Sequence, residues 1–84
     1  MNVIINSNLS RRDVIQYGKL DARIAWDGSV KHEIALAICW VRHSGLATVD
    51  GVAYDDAIKG QFDGDYRAIK NAFNQAIRAY FKLY

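Results

Sequence analysis

The chain has 84 residues, of which 51% are apolar, and a formal net charge of +2. This length and composition are typical of one small globular domain and exclude a disordered chain. The longest apolar run, residues 34–41, is far shorter than the roughly 20 residues that cross a bilayer, and the small net charge excludes a broad basic surface. The sequence therefore predicts a single domain over residues 1–84, in the cytoplasm and away from membranes.

The first predicted element is a short helix that follows Ser10. Asp13 stands three residues after Ser10, which is the spacing of a capping box. Gly18 is the type of residue that ends a helix in the left-handed conformation. The preceding segment, residues 1–7, is either a frayed arm or an edge strand.

An Asp27-Gly28 pair then separates two stretches in which apolar and polar residues alternate, residues 20–26 and 30–41. Alternation with period two is typical of a strand with one buried face. Asp-Gly tolerates the positive φ angles of a tight type I′ turn, so we expect an antiparallel hairpin. Its Trp26 and Trp40 would face the C-terminal helix, although the alanines of the second stretch also allow a helix.

A third strand is predicted within residues 46–54, after a turn at residues 42–45. Asp50-Gly51 interrupts it with a bulge or a second tight turn. The three strands together form an antiparallel meander.

The last predicted element is a long amphipathic helix. Large apolar and aromatic residues recur along one face at three- and four-residue steps: Tyr66, Ile69, Phe73, Ile77, Tyr80 and Tyr84. Asp63 or Asp65 caps its N-terminus. The predicted fold is therefore α+β, a three-stranded antiparallel sheet with a short N-terminal helix and the long C-terminal helix packed on one face.

No motif for catalysis, a cofactor or a metal is present. Cys39 lies in the apolar run and is predicted to be a small buried residue. His32 is interpreted as a partly buried histidine bonded to a neighbour, and His43 as an exposed turn residue. The acidic segment lacks the spacing of a calcium loop, and no phosphate-binding loop is present. We therefore expect a protein that is not an enzyme.

Charge is uneven on the two sides of Asp65. The charged residues between positions 50 and 65 are five aspartates and one cation, Lys59, whereas those of residues 66–84 are four cations and no acid. One interpretation is a solvated loop followed by a helix with a polar face. The other is an acidic pole that docks on a basic surface of a protein partner. The second interpretation predicts these partner-binding residues: Asp55, Asp56, Asp63, Asp65, Arg67, Lys70 and Arg78.

Two stretches resemble nucleic-acid-binding families. VDGVAY and GDYRAIKNAFNQAI, residues 49–54 and 64–77, resemble the second half of a double-stranded-RNA-binding domain, in which lysines at the start of the second helix contact phosphates. The matching positions here are Arg67 and Lys70, preceded by Asp63 and Asp65. Residues 60–73 also resemble the strand-to-helix junction of the three-stranded DNA-binding domains of integrases.

In architecture the chain resembles the small phage-encoded inhibitors that include anti-CRISPR proteins, many of which combine a few strands with one or two helices. This resemblance implies a protein of the host cytoplasm that blocks a nucleic-acid-handling complex by occupying a basic or interdomain surface of its partner. We expect a monomer or homodimer. The alternative is a small nucleic-acid-binding module with αβββα topology. We favour the inhibitor because the acidic segment repels phosphates and attracts the proteins that bind them.

Overall fold

The computed structural model describes residues 2–22, 25–61 and 65–84. Within these ranges, four helices and a three-stranded antiparallel sheet form an α+β fold, so the predicted class is confirmed. A short irregular helical turn, Ala57–Gln61, precedes the last helix. In chain order the other elements are β1 (Val3–Ile5), α1 (Arg11–Leu20), α2 (Val30–Ser44), β2 (Ala47–Val49), β3 (Val52–Ala53), α3 (Tyr54–Asp56) and α4 (Tyr66–Phe81).

The sheet has the order β1-β2-β3, with β2 paired to both neighbours. Val3 lies opposite Val49 in β2, and Thr48 lies opposite Ala53 in β3. The N-terminal segment is therefore an edge strand, one of the two interpretations made from the sequence. Asp50 and Gly51 have φ angles of 52° and 81°, which is the backbone of a tight hairpin turn. The predicted third strand is thus two short strands.

The predicted hairpin around Asp27-Gly28 is wrong, because residues 30–44 form α2. Ser29 caps this helix by accepting a hydrogen bond from the His32 N–H at 3.1 Å, and Gly45 ends it with a φ of 83°. The buried residues of α2 follow helical spacing: Ile34, Ala37, Ile38 and Val41. The αβββα topology is therefore wrong as well, since the sheet uses β1 in place of the two alternating stretches.

The two tryptophans consequently do not form the predicted core against α4. Trp40 of α2 stacks on Tyr17 of α1 at a centroid distance of 5.1 Å. Trp26 lies before α2, 42% exposed, and its indole N–H donates to the Ser29 carbonyl. Residues 23 and 24, in the middle of the first predicted strand, lie outside the described residues.

Gly18 has a different role from the predicted helix stop. The capping box of Ser10 and Asp13 is present, but α1 continues through Gly18 to Leu20. A Cβ atom at Gly18 would lie 2.7 Å from the backbone nitrogen of Ala37. The absence of a side chain therefore permits the close approach of α1 and α2.

Helix α4 covers the core with its apolar face. Asp65 caps it by accepting hydrogen bonds from the Arg67 and Ala68 N–H groups, whereas Asp63 lies outside the described residues. Of the residues predicted for the apolar face of this helix, Ile69, Phe73 and Ile77 are buried, while the three tyrosines are 50–86% exposed. Phe81 and Leu83 fill the end of the core instead. Among the described residues, no helix is long and apolar enough to cross a membrane.

Candidate functional site: the α1–α2 groove and its acidic rim

A groove of about 250 Å³ opens on the surface between α1 and α2, next to the close contact at Gly18. One wall comes from the end of α1 and the residues after it, and the other from one face of α2. Because side chains three and four residues apart share a helix face, α2 presents a continuous wall. The lining residues are Gly18, Asp21, Ala22, Leu36, Cys39, Trp40 and His43. We call this feature the α1–α2 groove.

Aromatic stacking fixes the shape of the α2 wall. The rings of Tyr17 and Trp40 are 5.1 Å apart and 21° from parallel. Offset stacking of this kind holds an indole in one orientation. Tyr17 is 44% exposed, and Leu20, the last residue of α1, is 72% exposed. The apolar surface of the groove therefore continues onto the neighbouring solvent-exposed side chains.

The α3 end of the groove is acidic. Asp55 of α3 lies 2.7 Å from the Nδ1 atom of His43, measured to its Oδ1 atom. Since a carboxylate can only accept, Nδ1 carries the proton in this pair. Asp55 is thereby held at the rim of the groove, beside a lining residue. Asp21, on the opposite wall, is exposed and adds a second carboxylate.

Tyr54 anchors α3 and hence Asp55. Its ring packs edge-on against Phe73 of α4 at 5.1 Å and against His43 at 5.3 Å, and the Arg42 guanidinium lies 5.3 Å above it. Burial of the phenol raises the pKa of Tyr54. The rim carboxylate is thus attached to the core rather than to a solvated loop.

The described residues predicted to bind a partner lie on α3, at the N-cap of α4 and along α4, and Asp63 lies outside the described residues. Asp55 lies beside the groove through its contact with His43, and Asp56 is the next residue of α3 and is exposed. Asp65 is at the start of α4, where one of its oxygens accepts two backbone N–H groups. On α4 itself Arg67 and Arg78 are exposed and Lys70 is half-buried.

Two predictions about individual side chains have different outcomes. His32 is partly buried and accepts a hydrogen bond from the Asp27 N–H at 3.1 Å, as expected. Cys39 is exposed, not buried, because the helical turn places it on the groove side while Ile38 takes the core side. Within residues 2–22, 25–61 and 65–84, no three His, Cys, Asp or Glu side chains are placed to hold a metal ion.

The α1–α2 groove itself was not predicted from the sequence. The available signal was Gly18 inside a helical pattern, because an interior glycine often marks close packing. Had residues 30–44 been interpreted as a helix, Leu36, Cys39 and His43 would have fallen on one face. Comparison of the chain with protein-family models, curated proteins and solved structures finds no match.

Proposed function

We propose that this protein is a non-enzymatic binding protein whose α1–α2 groove receives a segment of a partner protein. One observation carries the proposal: the groove has largely apolar walls, carboxylates at its edges, and no Lys or Arg among its described lining residues. The complementary segment has one large apolar side chain flanked by Arg or Lys. Opposite charges at the rim steer the encounter and set its specificity.

The size of the groove supports a side-chain anchor. Its volume of about 250 Å³ is below the roughly 300–1,000 Å³ of sites that enclose drug-sized ligands. Tyr17 is exposed and Trp40 is partly buried, and aromatic side chains of these types dominate protein–protein binding energy. Asp21 and Asp55 would repel a phosphate backbone, so a polypeptide fits this site better than a nucleic acid.

The finer proposal concerns what binding achieves. A protein that handles nucleic acid has a basic surface, and Asp21, Asp55 and Asp56 complement such a surface in charge. Occupying it would exclude the nucleic acid, which is the action implied by the architectural resemblance to anti-CRISPR-type inhibitors. We therefore propose an inhibitor that acts in the cytoplasm of a phage host.

A displayed library of random peptides tests the groove directly. We expect enriched peptides that combine a large apolar residue with Arg or Lys, and backbone NMR shifts on binding that concentrate at Asp21, Leu36 and Trp40. Asp55→Asn should weaken binding by about two- to fivefold, the range for an exposed charge pair. Asp50→Asn, which removes the same charge at the β2–β3 turn, is the matched control and should change affinity little.

Other outcomes of the selection would contradict the proposal. Enrichment of acidic peptides would reverse the expected charge complementarity. Shifts confined to α4 would place the binding surface elsewhere. Equal effects of Asp55→Asn and Asp50→Asn would show that only the net charge matters.

A further inference from the structure

The solvent-facing side of α4 forms a polar stripe that the α1–α2 groove does not involve. The buried residues Ile69, Phe73 and Ile77 define the opposite side of the helix. At steps of three and four residues along the outer side, every side chain is polar and exposed: Arg67, Asn71, Gln75 and Arg78. The exposed Lys82 follows as the C-cap of the helix. At a rise of 1.5 Å per residue, Arg67 and Arg78 are roughly 16 Å apart along the axis. We call these five residues the α4 stripe.

The stripe has cations and amides but no carboxylate. Helix α4 contains no acidic residue, and the Asp65 carboxylate before it is bonded to backbone N–H groups at 3.0 and 3.3 Å. Among the described residues, ion pairs are formed elsewhere and involve none of the stripe's cations, and the Arg78 guanidinium donates one hydrogen bond, to the Leu83 carbonyl at 3.4 Å. Ala68 and Ala79 flank the stripe and are exposed, so the described residues of α4 on that side carry small side chains.

Cations from two other helices extend this surface at the C-terminal end of α4. The Arg11 guanidinium of α1 donates to the Lys82 carbonyl at 3.3 Å. Lys31 of α2 lines a shallow groove of about 360 Å³ together with Arg78 and Tyr84. The carbonyl end of α4 favours the cations that lie beside it.

We propose that the α4 stripe binds duplex DNA by entering its major groove. The major groove, about 12 Å wide, admits an α-helix, and Arg, Asn and Gln are the side chains that make paired hydrogen bonds to guanine and adenine edges there. Arg11, Lys31 and Lys82 are placed at the end of the helix, where they contact phosphates. This inference is independent of the protein-binding groove.

The composition of the stripe favours DNA over other polyanions. An acidic protein surface would complement the charges of Arg67 and Arg78. It would not explain the two amide side chains between them, Asn71 and Gln75, which carry no charge. Duplex RNA has a major groove too narrow for a helix with its side chains. Ala68 and Ala79 beside the stripe allow the backbone of α4 to approach the groove floor.

Fluorescence anisotropy with a labelled duplex of about 20 base pairs tests this inference. We expect a Kd within the roughly 10⁻⁴ to 10⁻⁶ M range of non-specific binding at physiological salt, tightening as salt is lowered. The Arg67→Ala, Arg78→Ala double variant should bind at least about tenfold more weakly at 50 mM salt and reduce the slope of log K against log salt by about 2. Circular dichroism confirms that this variant is folded.

Matched variants distinguish DNA binding by the α4 stripe from an effect of net charge and from binding at the α1–α2 groove. Lys59→Ala removes an exposed cation outside α4 and should leave the Kd within about twofold, and Asp55→Asn should not weaken DNA binding. Asn71→Ala with Gln75→Ala should reduce discrimination between duplex sequences while keeping the salt slope. No binding at 50 mM salt, an equal loss with Lys59→Ala, tighter binding to duplex RNA, or equal affinity for poly-glutamate would overturn the inference.

Discussion

Replacing Gly18 with alanine tests the packing that creates the α1–α2 groove. A Cβ atom there would lie 2.7 Å from the Ala37 nitrogen and 2.8 Å from both the Ala37 Cα and the Leu36 carbonyl carbon. Unstrained contacts between carbon atoms are about 3.5–4.0 Å, so the two helices must separate by about 1 Å. All three obstructing atoms are backbone, and therefore no rotamer change relieves the collision.

Two opposing effects determine the size of the change. Alanine favours the helix over glycine by about 1 kcal/mol. Overpacking costs about 1–3 kcal/mol, and we expect the upper end because rigid helices must move. The net loss is about 2 kcal/mol of unfolding free energy. For a chain of this size, that loss lowers Tm by about 8–16 °C.

Urea denaturation and thermal melting followed by circular dichroism measure this effect. The control is Ala35→Gly, an exposed position of α2, where only the helix preference changes and about 1 kcal/mol should be lost. A Gly18→Ala protein that melts several degrees above the wild type would refute the close contact between α1 and α2.

Four further measurements follow from the caps, the core and the titrating groups. Asp65→Ala should cost about 1 kcal/mol in urea denaturation because α4 loses its N-cap, whereas Asp65→Asn should restore most of it; equal losses would contradict the capping role. Phe73→Ala should cost about 3–5 kcal/mol, since the ring is fully buried, and an unchanged melt would show that α4 is not docked by this face. Hydrogen bonds from the hydroxyl and the N–H of Ser29 lower the pKa of Asp27 below 3.8. The contribution of Asp27 to the free energy of unfolding is therefore present above pH 3.8 and is lost as pH falls through the lowered pKa. Asp27→Asn should remove this loss from acid unfolding curves. Burial raises the pKa of Tyr54 above 10.0, so its contribution is full below pH 10.0 and lost as pH rises through the raised pKa, and Tyr54→Phe should unfold less readily in alkali.

Local signals in the sequence predicted several elements correctly. The hydrogen bonds between Ser10 and Asp13, and between Asp65 and the first amides of α4, connect residues two or three positions apart, so spacing alone indicates them. Asp50-Gly51 likewise supplies both positive φ angles of its own turn. These features depend little on the rest of the chain.

The mistaken strand at residues 30–41 has a specific physical cause. Ile34, Ile38 and Trp40 satisfy a period of two, but Ile34, Ala37, Ile38 and Val41 also satisfy the helical period. The residues at the two ends of the segment favour the helix over the strand, because Ser29 caps α2 and Gly45 ends it. Asp27-Gly28 contributes to this start because Asp27 accepts hydrogen bonds from Ser29, not because it closes a hairpin.

The groove depends on tertiary contacts that spacing does not show. Asp55 was a predicted binding residue, yet its neighbour at 2.7 Å is His43, twelve positions earlier, and the pair meets only after α2 and α3 pack together. Gly18 was interpreted through its backbone freedom, while its actual role is to leave room for α2. Both errors concern what a residue touches rather than what type it is.

The most direct test of the proposed function is site-specific photo-crosslinking in cells that contain the partner. A photoreactive residue replaces Ala22 in the groove or, as a control, the exposed Lys59 outside it. We expect a mapped crosslink from position 22 to an apolar side chain flanked by Arg or Lys in one protein, weakened by Asp55→Lys in the same chain and absent from position 59. The same crosslinks from both positions, or a position-22 crosslink that persists with Asp55→Lys and falls in an acidic segment, would contradict a groove that binds a basic partner.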